Sequence, residues 1–319
     1  MAGGPFYKAY FPLANLFLAN WEHLGAPIFL MGGGWKAEVG DDWDTICFRF
    51  QQKSLLTLKK IAKQSAFIGC RDYGSERVLR RAGIHNVLMT GCPAWYDLGG
   101  LGKSMALPKG LKGLAFTPAE NQHLHSQSVE VMHLLRRLFP HIPIICAMHR
   151  GIDADLETPP KAAKDYSRLV AVAKGLGFYV IDMAYGGEEK MALYNDCELH
   201  IGYRAHAHIY FLSKRRPSIL ITEDARGAGV LEALGTPGCT GIIRSARFQI
   251  FQRLGLDSIN GFLIRRLYRH NSRPNPNLPR QLRNLLAEEI DSHFARFART
   301  AQVIDAYYMT MKRFVHSLP

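Results

Sequence analysis

Two hydrophobic rhythms alternate along this chain. Short, continuous apolar runs recur between longer stretches whose apolar residues fall at helical spacing. The runs predict strands at Pro27 to Met31, Ala66 to Cys70, Val87 to Thr90, Leu114 to Thr117, Ile142 to Met148, Phe178 to Met183, Leu199 to Gly202, Ser218 to Thr222 and Gly241 to Ile243. The periodic stretches predict helices over Tyr10 to Trp21, Ser54 to Gln64, Ser126 to Phe139, Lys164 to Leu176, Glu188 to Asn195, Arg226 to Leu234 and a long one over Gln281 to Ser317. Ser75 is expected to cap a helix ending at Gly83, and Pro217 to stop one running from Ile209 through Arg216. A strand that is apolar throughout, not at every second residue, is buried on both faces, which is the habit of parallel sheets covered by helices.

The expected fold is therefore α/β, with two Rossmann-like domains built on parallel sheets. Leu98 to Gly113, rich in glycine and lysine and without periodicity, reads as the linker. The expected layout is an incomplete N-terminal domain over residues 1–110, a second domain over 111–270, and a helical segment over 271–319 packing back across both. The ligand is expected in the cleft, facing the carboxyl edges of the sheets.

Composition narrows the function. A length of 319 residues with 47% hydrophobic content fills real cores, and 21% charged residues excludes wholesale disorder. The formal net charge of +13 favours an anionic partner. Nucleic acid is disfavoured, because no zinc-finger spacing, RNP-like aromatic motif or basic zipper is present. A local rise of arginines at Arg265, Arg266, Arg269, Arg273, Arg280 and Arg283 fits a solvated helix face or peripheral contact with an anionic membrane equally well. Six dispersed cysteines, with no C-x-x-C pair, make neither a disulfide framework nor a zinc site, so a reducing, cytoplasmic setting is expected. No run approaches the ~20 apolar residues of a membrane span.

The chemistry concentrates between Glu198 and Asp224. There a strand ends in Arg204, His206 and His208 before a helix, and the carboxyl end of a strand in an open α/β sheet is where ligands bind. Arg204 offers a planar fork for carboxylate or phosphate. His206 and His208 can exchange protons near neutral pH, and His208 would share a helix face with Arg204. Each taken alone is more often a surface or core residue; their grouping at a strand-to-helix junction is what points to a site. His149 and Arg150 stand at a neighbouring strand end, with an exposed loop as the bland alternative. Arg71 and Asp72 would face the cleft from the first domain, or serve only as an internal pair or cap. Asp182 and the pair Glu223 and Asp224 are spare candidate bases. His123 and His125 lack a third ligand and read as a polar loop. Gly32 to Gly34 follows a strand, but without G-x-G-x-x-G it is weak evidence for a nucleotide.

Three stretches together resemble the polysaccharide pyruvyl transferase family. Gly69 to Leu98 is similar to its strand, Arg-Asp, serine-bearing helix and proline-alanine-aromatic segment. Asp196 to Asp224 is similar to its Ile-Gly-x-Arg-x-His-Ala pattern with the following Pro-Ser-Ile-Leu-Ile strand. The glycine-rich segments at Gly3-Gly4 and Gly32 to Gly34 are a weaker third. The chain departs from the family at Gly91-Cys92-Pro93, where many members carry an acidic residue before the proline. The resemblance implies a fold like that of GT-B glycosyltransferases, phosphoenolpyruvate as donor substrate, a saccharide acceptor that is lipid-linked in some settings, and no metal or other cofactor. It places the donor-binding arginine and histidine at Arg204 and His206. The product would be a pyruvate ketal, in exopolysaccharide or cell-surface glycan synthesis at the inner membrane face. Glycosyl transfer from a sugar nucleotide, or non-catalytic binding of a saccharide or anion, are the alternatives on this architecture.

Overall fold

The computed structural model describes residues 27–155, 158–184, 186–244 and 272–318. The expected helix at Tyr10 to Trp21, Gly3-Gly4 and the arginines at 265, 266 and 269 lie outside them.

The described residues open with a small α/β unit. Helix α1 (Asp42–Cys47) and helix α2 (Gln52–Lys63) precede strand β1 (Ile68–Cys70), helix α3 (Tyr73–Arg81) and strand β2 (Val87–Met89). β1 and β2 pair in parallel, Gly69 opposite Leu88. The expected strand at Pro27 to Met31 does not form as a regular strand; the segment lies beside β1, where the Gly69 N–H donates to the Leu30 carbonyl at 2.8 Å and Gly33 makes an isolated bridge to Cys70. Trp35, Leu58, Ile61, Ile68 and Leu79 are buried at its centre. The cap of α3 is Asp72, not Ser75: its fully buried carboxylate accepts from both the backbone N–H and the hydroxyl of Ser75 at 2.7 Å. Ser75 instead accepts from the Trp35 N–H at 2.8 Å, which ties the glycine-rich segment to the helix.

The second unit holds the main sheet. In chain order it runs β3 (Leu114–Thr117), α4 (His125–Leu138), β4 (Ile144–Met148), α5 (Pro160–Gly175), β5 (Tyr179–Asp182), the short α6 (Glu188–Met191), β6 (Leu199–Gly202), α7 (Ala205–Ser213), β7 (Ser218–Thr222), α8 (Ala225–Leu234) and β8 (Gly238–Thr240). All six strands are parallel, in the order β5-β4-β3-β6-β7-β8. Every residue of β3, β6 and β7 is buried, which is why these segments read as unbroken apolar runs. Tyr179 on edge strand β5 is 66% exposed. The connections reverse direction between β3 and β6, and that reversal opens a crevice at the carboxyl edge. Gly202 is required there, since a Cβ would lie 2.3 Å from the Thr117 Oγ1. Its absence lets the Tyr203 N–H reach the Thr117 carbonyl at 2.9 Å and the Arg204 N–H reach Thr117 Oγ1 at 3.2 Å.

Three differences from the expected bounds have a visible cause. The strand that closes the sheet is Gly238–Thr240, while β9 (Ile242–Arg244) turns away after Gly241 and pairs antiparallel with β10 (Ser272–Pro274). Helix α7 ends at Ser213, before Pro217, because Arg215 takes a left-handed φ of 61° and buries its guanidinium against the Gly100 carbonyl at 2.7 Å and Asp305. The C-terminal segment is helical as read, but in two pieces, α9 (Leu278–Asp291) and α10 (Thr300–His316). His293 and Phe294 break it at left-handed φ values of 51° and 59°. The turn buries Phe294 and Phe297 in the main core, which a straight helix would carry past it. Then α10 reaches the smaller unit: the Tyr307 hydroxyl lies 2.9 Å from that of Tyr73, and its ring packs on Trp95.

The fold is thus α/β, with a parallel multistranded sheet, a smaller parallel unit facing it, and a helical C-terminus. The units meet where α3 packs on α8, with Gly229 against Asp72 and Arg77 paired to Glu232 at 2.9 Å. No described helix is long and apolar enough to cross a membrane.

Candidate functional site

A cavity of about 290 Å³ opens between the two units at the carboxyl edge of the main sheet. This is at the small end of ligand pockets, which run roughly 300–1,000 Å³. Arg71 and Cys92 line it from the smaller unit; Arg204, His206, Glu223 and Arg226 line it from the larger. The positions follow from the strands. Arg71 ends β1, Arg204 follows β6 at the reversal, and Glu223 ends β7.

Three guanidinium groups define the electrostatics. Arg71 is only 7% exposed, and its Nη2 is buried with no hydrogen-bond partner among the described residues. Its Nε reaches Asp72 Oδ2 at 3.4 Å, a weak contact for a buried charge. The Gly32 to Gly34 run explains itself here: a Cβ on Gly34 would sit 2.3 Å from the Arg71 Nε. Arg204 pairs through Nη1 with Glu120, in the loop after β3, and sets Nη2 3.4 Å from the His206 Nδ1; its Nε is buried without a hydrogen-bond partner among the described residues. Arg226 is held by Asp224 at 2.6 Å, the carboxylate that also caps α8. Buried donors left open on two arginines, one from each unit, are what an anion would satisfy.

His206 sits at the cavity rim. Loss of solvation in the cleft, then the Arg204 and Arg226 charges, push its pKa down to about 4. It is a neutral imidazole at pH 7. An anion lodged between those arginines would cancel their charge and draw the imidazole back toward its usual range. Burial and the neighbouring Asp224 charge push the Glu223 carboxyl up to about 7.

The other sequence candidates are distributed differently. Arg150 comes near the site by pairing with Glu120 at 2.8 Å, but it is exposed and outside the cavity wall. His149 also lies off the wall. Its Nε2 hydrogen-bonds the Tyr194 hydroxyl at 2.7 Å, and burial followed by the Arg204 and His206 charges pushes its pKa down to about 3. His208 turns the other way from Arg204, because its position on α7 faces the sheet. It is fully buried, with Nδ1 2.8 Å from the Ser218 hydroxyl. The same hydroxyl meets His200 at 2.7 Å, and His200 reaches Thr117 Oγ1 at 2.8 Å. His208 therefore belongs to a buried polar chain behind the site and is corrected from a catalytic to a packing position. Asp182 accepts from the N–H groups of Ile152 and Ala184 and anchors its loop. His125 packs on Tyr166, away from the cavity. Among the described residues, no group of three His, Cys, Asp or Glu side chains is placed to hold a metal.

Sequence reading missed Glu120 and Arg226. Glu120 stands just past the end of a central strand, the signal that singled out Arg204 and was not applied there. Arg226 opens a helix and was read only as the start of α8.

These features define an α/β protein whose small, arginine-lined cavity lies over the carboxyl ends of β6 and β7, beside the switch point of a Rossmann-ordered sheet. The sequence model of the polysaccharide pyruvyl transferase family matches residues 1–224, and the chain belongs to that family. A comparison with curated proteins gave no match. Among solved structures, the chain is similar to Staphylococcus aureus MnaA with UDP, at 11% identity and a TM-score of 0.47, covering 91% of this chain and 66% of that one. It is also similar to an Escherichia coli trehalose-6-phosphate structure bound with UDP-2-fluoro glucose, at 11% identity and a TM-score of 0.43, covering 82% of this chain and 63% of that one. A third is Anabaena Alr3699/HepE with UDP and glucose, at 13% identity and a TM-score of 0.41, covering 88% and 68%. The chain spans just under two thirds of the length of the first two (66% and 63%).

Proposed function

We propose that this protein transfers pyruvate from phosphoenolpyruvate to two hydroxyls of a saccharide, forming a ketal during exopolysaccharide or cell-surface glycan synthesis on the cytoplasmic side. The observation that carries the reading is the convergence of Arg71, Arg204 and Arg226 on one small cavity, with the Arg71 Nη2 buried and unpartnered. Phosphoenolpyruvate presents a carboxylate and a phosphate close together, and paired guanidinium groups match both. The family membership supports the same reaction.

In the proposed reaction, the donor's methylene carbon takes a proton and the adjacent carbon becomes electrophilic. One sugar hydroxyl adds to it; a second displaces phosphate. Of the two hydroxyl protons, one is matched by the new methyl hydrogen and the other leaves with phosphate. Arg71 and Arg204 hold the donor's anionic ends. The neutral His206 ring, at the rim where an acceptor would arrive, takes the hydroxyl proton, and the bound anion makes it a stronger base.

Calorimetry with phosphoenolpyruvate tests the donor site. Arg204→Ala should weaken binding tenfold or more, about 1.4 kcal/mol. His206→Ala should bind the donor yet release phosphate, with a reactive saccharide, ~10²–10⁴-fold more slowly. A folded wild-type protein that does not bind phosphoenolpyruvate overturns the reading, and binding of a sugar nucleotide instead would turn it to glycosyl transfer. An unchanged rate in His206→Ala removes the base.

A further inference from the structure

The cavity holds a carboxyl group in a place where a carboxylate would oppose its purpose. Glu223 lines it beside Arg204, His206 and Arg226. The two acids nearest it each have an arginine: Asp224 holds Arg226, and Glu120 holds Arg204 and Arg150. Glu223 makes no ion pair among the described residues. Among the described residues its one hydrogen bond is accepted by Oε2 from the Glu120 N–H at 3.2 Å, which leaves Oε1 unpaired.

Its surroundings are charged on all sides. Asp224 adjoins it on its own element, Glu120 faces it from the loop after β3, and Arg204 from the β6–α7 junction. Arg226 faces it from the first turn of α8, with the hydroxyls of Tyr203 and Tyr166 farther off. Two neighbouring carboxylates oppose ionisation of Glu223, and the two arginines that favour it are already paired. An anion entering between Arg71 and Arg204 adds a third negative charge at close range. Two outcomes are open to the site: it repels its ligand, or Glu223 is uncharged when the ligand binds.

We propose that Glu223 enters the complex as a carboxylic acid, donates its proton in a hydrogen bond to the bound anionic donor, and so makes donor binding proton-coupled. This rests on the reading that phosphoenolpyruvate is the donor. It adds an acid to the site beside the basic His206, and places that acid on the strand next to the one carrying Arg204.

The pH dependence of phosphoenolpyruvate binding decides it. A phosphomonoester has its second pKa at about 6, so between pH 7.5 and 9 the donor's charge is constant. His206 stays neutral over that window, since its pKa is about 4 in the free protein and the ordinary imidazole value lies below it. The Glu223 carboxyl, at about 7, is losing its proton throughout. Binding that requires this proton should weaken about tenfold per pH unit, roughly thirtyfold from pH 7.5 to 9. Glu223→Gln keeps an oxygen to accept from the Glu120 N–H and an N–H to donate to the ligand, but cannot titrate. It should bind at pH 7 within about threefold of wild type and show no slope. Glu223→Asp restores a titrating group and should restore the slope. Calorimetry at pH 8 in two buffers of different ionisation enthalpy should show proton uptake in the wild type and its loss in Glu223→Gln.

A wild-type affinity that is flat across the window, or an equal slope in Glu223→Gln, overturns the inference and leaves the donor site standing. Absence of binding by folded wild-type protein at pH 7 overturns the reading beneath it. Thermal unfolding of each variant confirms that a folded protein is being titrated.

Discussion

Gly34→Ala isolates the role of Arg71 without touching it. The Cβ of an alanine would stand 2.3 Å from Arg71 Nε, 2.5 Å from Cζ and 2.6 Å from Nη2. Ordinary contact begins near 3.4 Å, so the guanidinium must retreat by about 1.1 Å. Arg71 is already 7% exposed and bounded by Asp72, and the open space is the cavity itself. The clash falls on the far end of a flexible side chain, not on backbone, and Gly34 does not use a left-handed φ, so folding should survive. A charge-assisted hydrogen bond is worth about 1.5–3 kcal/mol, which at 1.4 kcal/mol per decade is a loss of roughly 10- to 100-fold in affinity for phosphoenolpyruvate. The assay is a double-mutant cycle by calorimetry with Gly34→Ala, Arg71→Ala and the pair. If Gly34 acts only through Arg71, the double variant binds no worse than Arg71→Ala alone. Full affinity in Gly34→Ala, or additive losses in the pair, would refute the argument that the glycine run exists to seat this arginine.

Two further predictions concern stability. His200 and His208 are fully buried, and desolvation depresses both, His208 to about 3. The unfolded chain binds their protons from the ordinary pKa of about 6.5 downward while the folded chain does not. Stability is therefore complete above pH 6.5 and falls as pH drops toward 3, by up to about 1.4 kcal/mol per unit for each histidine. A urea midpoint that stays constant from pH 7 to 4.5 would show that these rings are not buried neutral. Asp305→Ala leaves the guanidinium of Arg215 (5% exposed) with carbonyl partners alone, the Gly100 and Ala301 oxygens. A loss of about 1.5–3 kcal/mol is expected in urea unfolding, and an unchanged midpoint would mean that α10 is not pinned through this pair.

The strand series and its parallel character were legible because central parallel strands are buried on both faces and so are written in continuous apolar residues. Leu114 to Thr117, Leu199 to Gly202 and Ser218 to Thr222 keep their predicted bounds to the residue. That Arg204 and His206 line the cavity was legible because a polar cluster interrupts an apolar run at a strand end. What failed were features decided by neighbours remote in sequence. The C-terminal apolar pattern is continuous across Ser292 and Phe294, yet the core needs Phe294 and Phe297 turned inward, and the helix breaks. His208 carries the same residue type and local spacing as a site histidine, yet the packing of α7 on β6 and β7 sends it to Ser218.

By itself the sequence determined the α/β class, the positions of the main strands and the basic junction after β6, because each is set by local periodicity and by burial along one element. The order of the strands belongs to the tertiary structure, since nothing in an apolar run says which run lies beside it. That order puts the reversal between β3 and β6, and the cavity opens beside it, over the ends of β6 and β7. It brings Arg71 from one unit to Arg204 and Arg226 of the other, assigns Glu120 and Asp224 to the arginines, and leaves Glu223 without one. Charge pairing depends on distance across elements, and only the folded chain sets those distances.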